Sequence, residues 1–385
     1  MIETAGAVPP PLVLPRYGST TLADFSTSLL AALRVPGEPN ALGLETLDRV
    51  CVLLVDGLGQ EQLRAHPEEA PYLSSLLDDG QVLTVGFPAT TATSLASLGT
   101  GRPPGVHGML GYQVAIPGAG RLMNNLRWDS EIDPLTWQPQ PTVYERAAGA
   151  GLTAAYVAPG EFAGSGLTVA TARGVRYVPA DSVGECVARA GVALRDGERS
   201  FVVVYYGDLD ATGHRNGCRS AAWRYQLGHV DRLAEQLADG LSAGAALYVT
   251  ADHGMVDVAP EGRVDAQAVP ELQEGVALLG GEARARHVYA RQGAAADVLA
   301  AWQELLGDRM WIASRQEAVA AGWFGSRVDD VMLPRIGDVV AAAHGPVAVT
   351  ASRTEPAESQ LVGLHGSMTA DEQLVPLLRV AAPGG

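Results

Sequence analysis

The chain contains four nearly continuous apolar runs bounded by glycine, proline or charged residues. They are RVCVLLVDGLG (49–59), GLTAAYVAP (151–159), RSFVVVYYGDLD (199–210) and GAALYVTADHG (244–254). Before the last run, the segment AAWRYQLGHVDRLAEQLADGL (221–241) repeats apolar residues at three- and four-residue spacing. Buried strands that alternate with amphipathic helices are typical of a parallel sheet covered on both faces. We therefore predict an α/β fold with a mostly parallel central sheet and helices on both faces.

The pattern changes between residues 260 and 360. Strand-like segments flank one helical segment there, and their sequences are RARHVYARQ, GAAADVLAAWQELLG, RMWIASR and IGDVVAAAHGPVAVTAS. The chain then returns through QLVGLHGSM to a predicted last helix. At 385 residues the chain exceeds the usual size of one domain. We predict an α/β core of residues 1–259 and 361–385, with residues 260–360 as an α+β insertion or cap subdomain.

The charge of the chain restricts its partners. The net charge is −16, and all 27 basic residues are arginines. Nucleic acid polymers and anionic membranes are bound through clustered positive charge, so we expect neither as a partner. No segment approaches the roughly 18–20 uninterrupted apolar residues of a membrane span.

Cysteine usage and the amino-terminal sequence predict a cytoplasmic, reduced protein. Cys51, Cys186 and Cys218 are odd in number and far apart, which fits neither a disulfide framework nor a CxxC metal site. The stretch MIETAGAVPPPLVLPRYGS starts acidic and lacks the basic and apolar regions of a signal peptide.

Three of the apolar runs lead directly into aspartates. Asp56 ends the first of them, Asp208 and Asp210 end the second, and Asp252 ends the third. In open parallel sheets, ligands bind beyond the carboxyl ends of the strands, so we expect these carboxylates to lie together. Asp56 by itself could equally cap a helix in an ordinary strand-to-helix turn.

Histidines accompany two of these aspartates. Asp210 and His214 are four residues apart, which places them on one face of a helix as metal ligands or as a local hydrogen-bonded pair. His253 follows Asp252 at a strand end or in a capped turn, and His365 lies in LHGS. Aspartate and histidine donors without cysteine thiolates suit a catalytic zinc site. Three such ligand sets in chain order, together with a hydroxyl-rich helix start, indicate a two-metal centre for phosphoryl transfer.

A hydroxyl-rich segment, GFPATTATSLASLGTG (86–101), contains four threonines and two serines and ends in a Gly-Thr-Gly turn. It can be an ordinary capped helix start, or one hydroxyl in it can be a nucleophile. The backbone N–H groups and the positive end of the helix dipole at such a start attract phosphate. The segment can therefore serve both purposes.

The motifs VDGLG, FPATTATSLASLGTGRPPGVHG, GDLDATGH, TADHG and LHGS, in this order, resemble the alkaline phosphatase superfamily. The motifs span residues 51–367 and are most similar to its type I phosphodiesterase/nucleotide pyrophosphatase branch. The resemblance implies two zinc ions, which manganese could replace. It implies that one zinc is held by Asp210, His214 and His365, and the second by Asp56, Asp252 and His253 beside the nucleophile.

The nucleophile implied by the resemblance is Thr91, which would also contact the second metal. The family pattern runs from a proline to a threonine three residues later and on to Thr-Gly. Counting from Pro88 and back from Thr100 selects Thr91, with Thr90 as the alternative. The implied reaction is attack by Thr91 on phosphorus, a phosphothreonine intermediate, and hydrolysis by water at the site of Asp210.

The substrate pocket departs from the family pattern at one position. In the diesterase branch, an asparagine three residues after the nucleophile helps to hold a phosphate oxygen, and here that residue is Ser94. The stretch RLMNNLRWDS (121–130) corresponds to a pocket wall in the family. Asn124, Asn125 and Trp128 are therefore candidates for contact with a leaving group, and a polar loop with one packed tryptophan is the alternative.

The resemblance implies a two-zinc hydrolase of phosphate diesters or nucleotide pyrophosphates, acting on a small phosphorylated substrate as a monomer or homodimer. A phosphomonoesterase or phosphonate hydrolase on the same two metals is the alternative. A phosphomutase and a non-catalytic phosphate-binding protein are further alternatives. Diesters are favoured because we recognise neither a third metal site nor a phosphate-clamping arginine, and Arg102 is expected to face solvent.

The remaining histidines are interpreted as structural or surface residues. His107 lies in a turn that recurs in the family, and we expect a structural role for it. His66, His229, His287 and His344 have no partner pattern, so we do not expect them to be metal ligands.

Overall fold

The structure is a computed structural model that describes residues 11–382. The start of the chain, on which the prediction about a signal peptide rests, lies outside the described residues. The strands are β1 (Arg49–Val55), β2 (Gln81–Thr84), β3 (Gln113–Ala115), β4 (Leu122–Asn124), β5 (Thr153–Ala158), β6 (Arg176–Pro179), β7 (Ser200–Tyr206), β8 (Ala245–Ala251), β9 (Val256–Asp257), β10 (Arg263–Asp265), β11 (Val276–Glu282), β12 (Ala285–Ala290), β13 (Met310–Ser314), β14 (Val339–Ala343), β15 (Ala348–Thr350), β16 (Gly363–Leu364) and β17 (Leu374–Ala381).

The helices connect these strands and cover them. They are α1 (Leu22–Ala32), α2 (Gln60–Ala65), α3 (Pro71–Ser75), α4 (Thr91–Thr100), α5 (Pro104–His107), α6 (Pro134–Trp137), α7 (Val143–Gly149), α8 (Gly166–Ala172), α9 (Val183–Leu194), α10 (Asp208–Asn216), α11 (Ala221–Asp239), α12 (Pro270–Gln273), α13 (Ala295–Leu306), α14 (Arg315–Ala320) and α15 (Ala370–Gln373). Within the described residues, no helix has both the length and the apolar character that a membrane crossing requires.

The central sheet has seven strands in the order β2-β17-β8-β1-β7-β5-β6. β1 lies in the middle and pairs in parallel over its whole length with β7 on one side and β8 on the other. All seven residues of β7 and all seven of β8 are buried. Because successive side chains of a strand point to opposite faces, both faces of the sheet are covered. The predicted α/β fold with a mostly parallel sheet is confirmed.

α11 shows how the sequence pattern produces one covering layer. Ser220 caps its first turn, because the serine hydroxyl accepts a hydrogen bond from the backbone N–H of Trp223. Trp223, Leu227 and Val230 are fully buried and recur at three- and four-residue spacing. The helix therefore presents one apolar stripe to the core and a charged face to solvent.

The prediction of a last helix is wrong for most of the segment. Only the single turn of α15 is helical, and the chain then continues as β17, which runs antiparallel to both β2 and β8. The apolar run LVPLLRVA is too short to distinguish a buried helix from a buried strand by its pattern. The segment forms a strand in the fold because β17 lies between β2 and β8 and pairs with both of them.

A second sheet lies within residues 260–360 and has the antiparallel order β11-β12-β14-β13. Val339 belongs to a core with Trp302 of α13 on one side of this sheet. The next residue, Val340, belongs to a different core that includes Ala92 of α4. The segment has the α+β character expected from its sequence, and its treatment as a separate subdomain stays a prediction.

Candidate active site

The ends of β1 and β8 bring three predicted ligands together. Asp56 follows β1 directly, and Asp252 and His253 follow β8. Since β1 and β8 are parallel neighbours in register, their carboxyl ends meet at the same edge of the sheet. Asp56, Asp252 and His253 are all nearly or fully buried, and we call them the buried cluster.

The other three predicted ligands lie beside the buried cluster and form the outer cluster, which is Asp210, His214 and His365. Asp210 and His214 are one turn apart on α10, and Nε2 of His214 is 3.3 Å from Oδ2 of Asp210. His365 follows β16, with its Nε2 4.0 Å from Oδ1 of Asp210. The imidazole rings of His253 and His365 stack with centroids 3.6 Å apart, so the two clusters adjoin.

The three histidines are oriented in the same way. Each ring lies with Nδ1 against a backbone carbonyl, which can only accept a hydrogen bond, so Nδ1 carries the proton and donates it. The partners are Gly363 for His214 at 2.7 Å, Gly254 for His253 at 3.0 Å, and Ala89 for His365 at 2.9 Å. Nε2 of each ring is thereby left available to a metal, which is the arrangement that supports metal-ligating histidines.

Each aspartate has one buried oxygen that finds no hydrogen-bond donor among residues 11–382. These oxygens are Oδ1 of Asp56, Oδ1 of Asp210 and Oδ2 of Asp252. The other oxygens of the buried cluster are satisfied, since Tyr205 donates its hydroxyl to Oδ2 of Asp56 and Gly57 donates its N–H to Oδ1 of Asp252 at 3.1 Å. Buried acceptors without partners are rare, and a bound cation satisfies them. The donor set of both clusters therefore fits a metal ion.

Electrostatics lead to the same conclusion. Burial, and then the negative charges of Asp252 and Asp210, raise the pKa of the Asp56 carboxyl well above its usual range. Burial also raises the pKa of Asp252 and lowers that of His365. The surroundings of these carboxyl groups therefore favour the protonated form, and bound divalent cations would stabilise the ionised form.

The hydroxyl-rich segment starts α4 at Thr91. Oγ1 of Thr91 is 3.2 Å from Nε2 of His253, which places this hydroxyl at the buried cluster. Thr90 is the residue before the helix, is almost fully buried, and caps none of the described N–H groups with its hydroxyl. The structure brings Thr91 to the ligands. Ser94, one turn later, is fully buried in α4, and its hydroxyl meets no partner within the described chain.

A cavity of about 280 Å³ opens over the outer cluster, Thr90 and Thr91. Its remaining lining, which we call the cavity wall, consists of Tyr112, Leu126, Arg127, Glu282, Ala283, Glu355, Ala357, Glu358, Leu361 and Leu364. Glu358 accepts a hydrogen bond from the Tyr112 hydroxyl at 3.0 Å. Burial raises the pKa of Glu282 to about 8. The wall therefore combines aliphatic surface with carboxyl groups.

All four substrate-contact residues expected from the sequence lie outside this lining in the described structure, so that expectation needs correction: Ser94 is buried in α4, and Asn124, Asn125 and Trp128 belong to the segment 121–130. Oδ1 of Asn124 accepts hydrogen bonds from the N–H groups of Leu126 and Arg127, which shapes the turn that brings those two residues to the cavity. Asn125 is fully buried, and its side chain bonds to Gly111 and Trp137. Trp128 donates its indole N–H to the carbonyl of Ile132. All three support the loop rather than face the cavity.

The other histidines lie outside both clusters in the described part of the chain. His107 bonds to Ser97 at 3.0 Å and accepts the N–H of Met109, and burial lowers its pKa to about 3. His287 is likewise buried and hydrogen-bonded to backbone groups. Arg102 is exposed, as expected.

Sequence reasoning missed the residues that support the ligands. Tyr205 holds Asp56 from the adjacent strand, although no motif contains it. The pair Tyr205–Tyr206 at the end of β7 could have indicated such a contact. Consecutive strand residues point to opposite faces, so one of two adjacent tyrosines lies on the face of the sheet where it can reach a ligand. Glu282 and Glu358 come from distant segments, and no local pattern in the sequence indicates their place in the cavity wall.

Known proteins share this architecture. Residues 50–368 match the family model described as type I phosphodiesterase/nucleotide pyrophosphatase. Murine ectonucleotide pyrophosphatase/phosphodiesterase 5 is 18% identical, with a TM-score of 0.68 over 87% of this chain and 88% of that one. Phosphonoacetate hydrolase from Sinorhizobium meliloti 1021 is 19% identical, with a TM-score of 0.67 over 88% and 92% of the two chains. No curated protein matches the chain in sequence. The family match covers most of the chain and includes all six ligand-type residues and Thr91, so the chain belongs to the type I phosphodiesterase/nucleotide pyrophosphatase family.

Proposed function

We propose that this protein hydrolyses phosphate diesters or nucleotide pyrophosphates with two divalent metal ions and a phosphothreonine intermediate on Thr91. The observation that carries the proposal is the meeting of two Asp/His clusters, each with an unsatisfied buried carboxylate oxygen, beside the Thr91 hydroxyl. Membership of the family supports the reaction type.

The ligand chemistry favours zinc. Each cluster offers carboxylate oxygen and imidazole nitrogen without thiolate sulfur, which suits catalytic zinc and also permits manganese. Asp210, His214 and His365 would hold one ion, and the buried cluster with Thr91 would hold the other. Two divalent ions at these places would supply Lewis-acid stabilisation of the phosphoryl oxygens and make a threonine hydroxyl a usable nucleophile.

The residues of the chain have separate tasks in this reaction. Oγ1 of Thr91 forms a bond to phosphorus while the bond from phosphorus to the leaving oxygen breaks, and the hydroxyl proton of Thr91 departs with the leaving group. The free N–H groups at the start of α4 point toward a phosphate bound there. Water then attacks phosphorus, the bond from phosphorus to Oγ1 breaks, and Thr91 regains a proton.

A structural neighbour supports a nucleotide-like substrate and a threonine nucleophile. A threonine-to-alanine variant of the murine phosphodiesterase 5 is described as inactive and was solved in complex with AMP. The cavity over the outer cluster is large enough for part of a small ester, and Leu126 and Leu361 provide apolar contact. The cytoplasmic location and the choice between monomer and homodimer stay predictions.

A phosphonate hydrolase or phosphomonoesterase on the same clusters is the second candidate. Ser94 favours it, because this buried serine presents no amide to a bound diester. Another neighbour, the S. meliloti phosphonoacetate hydrolase, was solved with phosphonoformate. The proposal therefore includes a test of substrate class.

The deciding experiment combines a substrate panel with detection of the intermediate. We expect matched chromogenic diesters to be cleaved with a higher kcat/KM than monoesters or phosphonoacetate. Acid quenching during turnover of a diester, followed by peptide mass spectrometry, is expected to find on Thr91 a phosphoryl group that still carries the second esterifying group. Phosphate on another residue, or turnover that continues at full rate in excess chelator, would refute the mechanism. A preference for monoesters or phosphonates would select the second candidate.

A further inference from the structure

A fully buried ion pair lies next to both ligand clusters. Arg284, on the loop before β12, donates two hydrogen bonds of 2.7 Å to the carboxylate of Glu372, and both side chains are completely buried. Arg284 also donates to the carbonyls of Gly345 and Val347 at 2.7 and 2.6 Å. The second sheet and its loops therefore hold Glu372 from one side.

Glu372 bonds to the segment that carries His365. Its Oε1 accepts the N–H of Ser367 at 2.9 Å, and its Oε2 accepts the hydroxyl of Thr369 at 2.5 Å. Ser367 is two residues after His365. In the same segment, the Gly366 carbonyl accepts the N–H of Ala89, so this segment also contacts the loop that leads to Thr91.

Glu372 also bonds to the segment that carries His253. Its backbone carbonyl accepts the N–H of Gly254 at 2.9 Å, immediately after His253. Gly254 in turn has the carbonyl that orients the His253 ring. One residue thus connects the peptide segments of one ligand in each cluster.

A second buried ion pair on β12 provides a natural comparison. Arg286 donates to the carboxylate of Glu355 at 2.8 and 3.1 Å, only two residues along from Arg284. Arg286 also bonds to the carbonyl of Val349. Among residues 11–382, the side-chain hydrogen bonds of Arg286 join the second sheet to Glu355 at one side of the cavity and do not involve the segments that carry His253 and His365.

We propose that Glu372, held by Arg284, is a positioning residue that sets His253 and His365 for metal binding in both clusters. The inference rests on the metal sites of the proposed function. A buried ion pair is weak evidence of stabilisation, because desolvation of the two charges offsets their attraction. Removal of a residue that orients a metal ligand, in contrast, typically lowers metal affinity by about 10- to 100-fold.

The test is metal affinity measured separately from stability. In Glu372→Gln the side-chain NH2 group would face the guanidinium of Arg284, which can only donate, at either of the two oxygen positions. The backbone carbonyl that accepts the N–H of Gly254 stays in this variant, whereas the carboxylate that holds the His365 segment is lost. We therefore expect zinc affinity to fall by about 10-fold or more at the outer cluster, measured by competition with a chromogenic chelator. Thr369→Val removes one hydroxyl donor and leaves the ion pair in place. We therefore expect it to lower zinc affinity by a smaller factor than Glu372→Gln does.

Glu355→Gln is the matched control, because it removes a buried carboxylate from the neighbouring arginine on the same strand. We expect it to lower the unfolding temperature of the metal-free protein as Glu372→Gln does, with zinc affinity unchanged. Equal zinc affinity in the wild type, Glu372→Gln and Thr369→Val would overturn the inference, and so would an equal loss of affinity in Glu355→Gln. If the wild type itself fails to bind two ions, the proposed function fails first and the inference with it.

Discussion

The two ligand clusters and the cavity wall adjoin, yet they are built differently. Asp56 and Asp252 follow adjacent parallel strands of the central sheet, and their separation is set by strand register. The wall takes Tyr112, Glu282 and Glu358 from segments that are far apart in the chain. The spacing of the buried cluster is therefore fixed by pairing of central strands, and the surface that would meet the rest of the substrate depends on how loops and the second sheet pack.

The largest effect is expected at the nucleophile, where the two regions meet. Thr91→Ala should lower kcat by about 10⁴-fold or more, because positioning and charge remain but no covalent intermediate can form. Both metals should stay bound in elemental analysis. The control is Thr90→Ala, which we expect to retain turnover. The reverse pattern, with Thr90→Ala inactive and Thr91→Ala active, would show that Thr90 is the nucleophile.

Removal of one ligand should come next. Asp210→Asn is expected to reduce the metal content from two ions to one and to lower kcat/KM by at least about 10²-fold, because the outer cluster loses its charged donor. Asp208→Asn, an exposed position on the same helix, serves as the control and should keep both ions. Two tightly bound ions in Asp210→Asn would contradict the assignment of the outer cluster.

A supporting contact should matter less than a ligand. Tyr205→Phe removes the hydroxyl that Asp56 accepts, so the metal of the buried cluster should bind about 10-fold more weakly. Tyr206→Phe is the neighbouring control, since the Tyr206 hydroxyl bonds to Gln226 rather than to a ligand. If both variants bind metal like the wild type, the hydroxyl of Tyr205 has no role in holding Asp56 for the ion.

The smallest effect is expected at the cavity wall. The side chain of Arg127 is 78% exposed, so Arg127→Ala should raise KM for anionic leaving groups by about 2- to 5-fold and leave kcat nearly unchanged. A neutral leaving group of similar size is the control substrate. A large fall in kcat would mean that Arg127 contacts the reacting phosphate, and the distinction between ligand clusters and cavity wall would no longer hold there.

The difference between the two regions also explains what the sequence could predict. Asp56 and Asp252–His253 lie in short motifs at strand ends, where the fold class alone determines which residues converge. Asn125 and Trp128 are expected in the pocket because their segment corresponds to a pocket wall in the family, but the structure uses both inside their own loop. Nothing in a local pattern distinguishes a side chain that faces a cavity from one that faces its own backbone.

Long-range packing accounts for the other omissions. The bond between Arg284 and Glu372 joins residues 88 positions apart, and its role depends on how the second sheet meets the carboxyl-terminal segment. The sequence predicts a helix in place of β17 for the same reason, because the neighbours of β17 in the sheet, β2 and β8, come from much earlier in the chain.

The position of β17 has a consequence for the order in which the protein is assembled during synthesis. β17 pairs with β2 through Leu374–Leu377 and with β8 through Leu378–Ala381. On the ribosome, β8 would expose its free edge until β17 has been translated, and an exposed edge of a buried strand readily pairs with other chains. The strand β8, which Asp252 and His253 follow, therefore gains its second neighbour only after β17 has been made. A nascent chain stopped before residue 374 should be prone to aggregation even though all six metal ligands and Thr91 have already been translated.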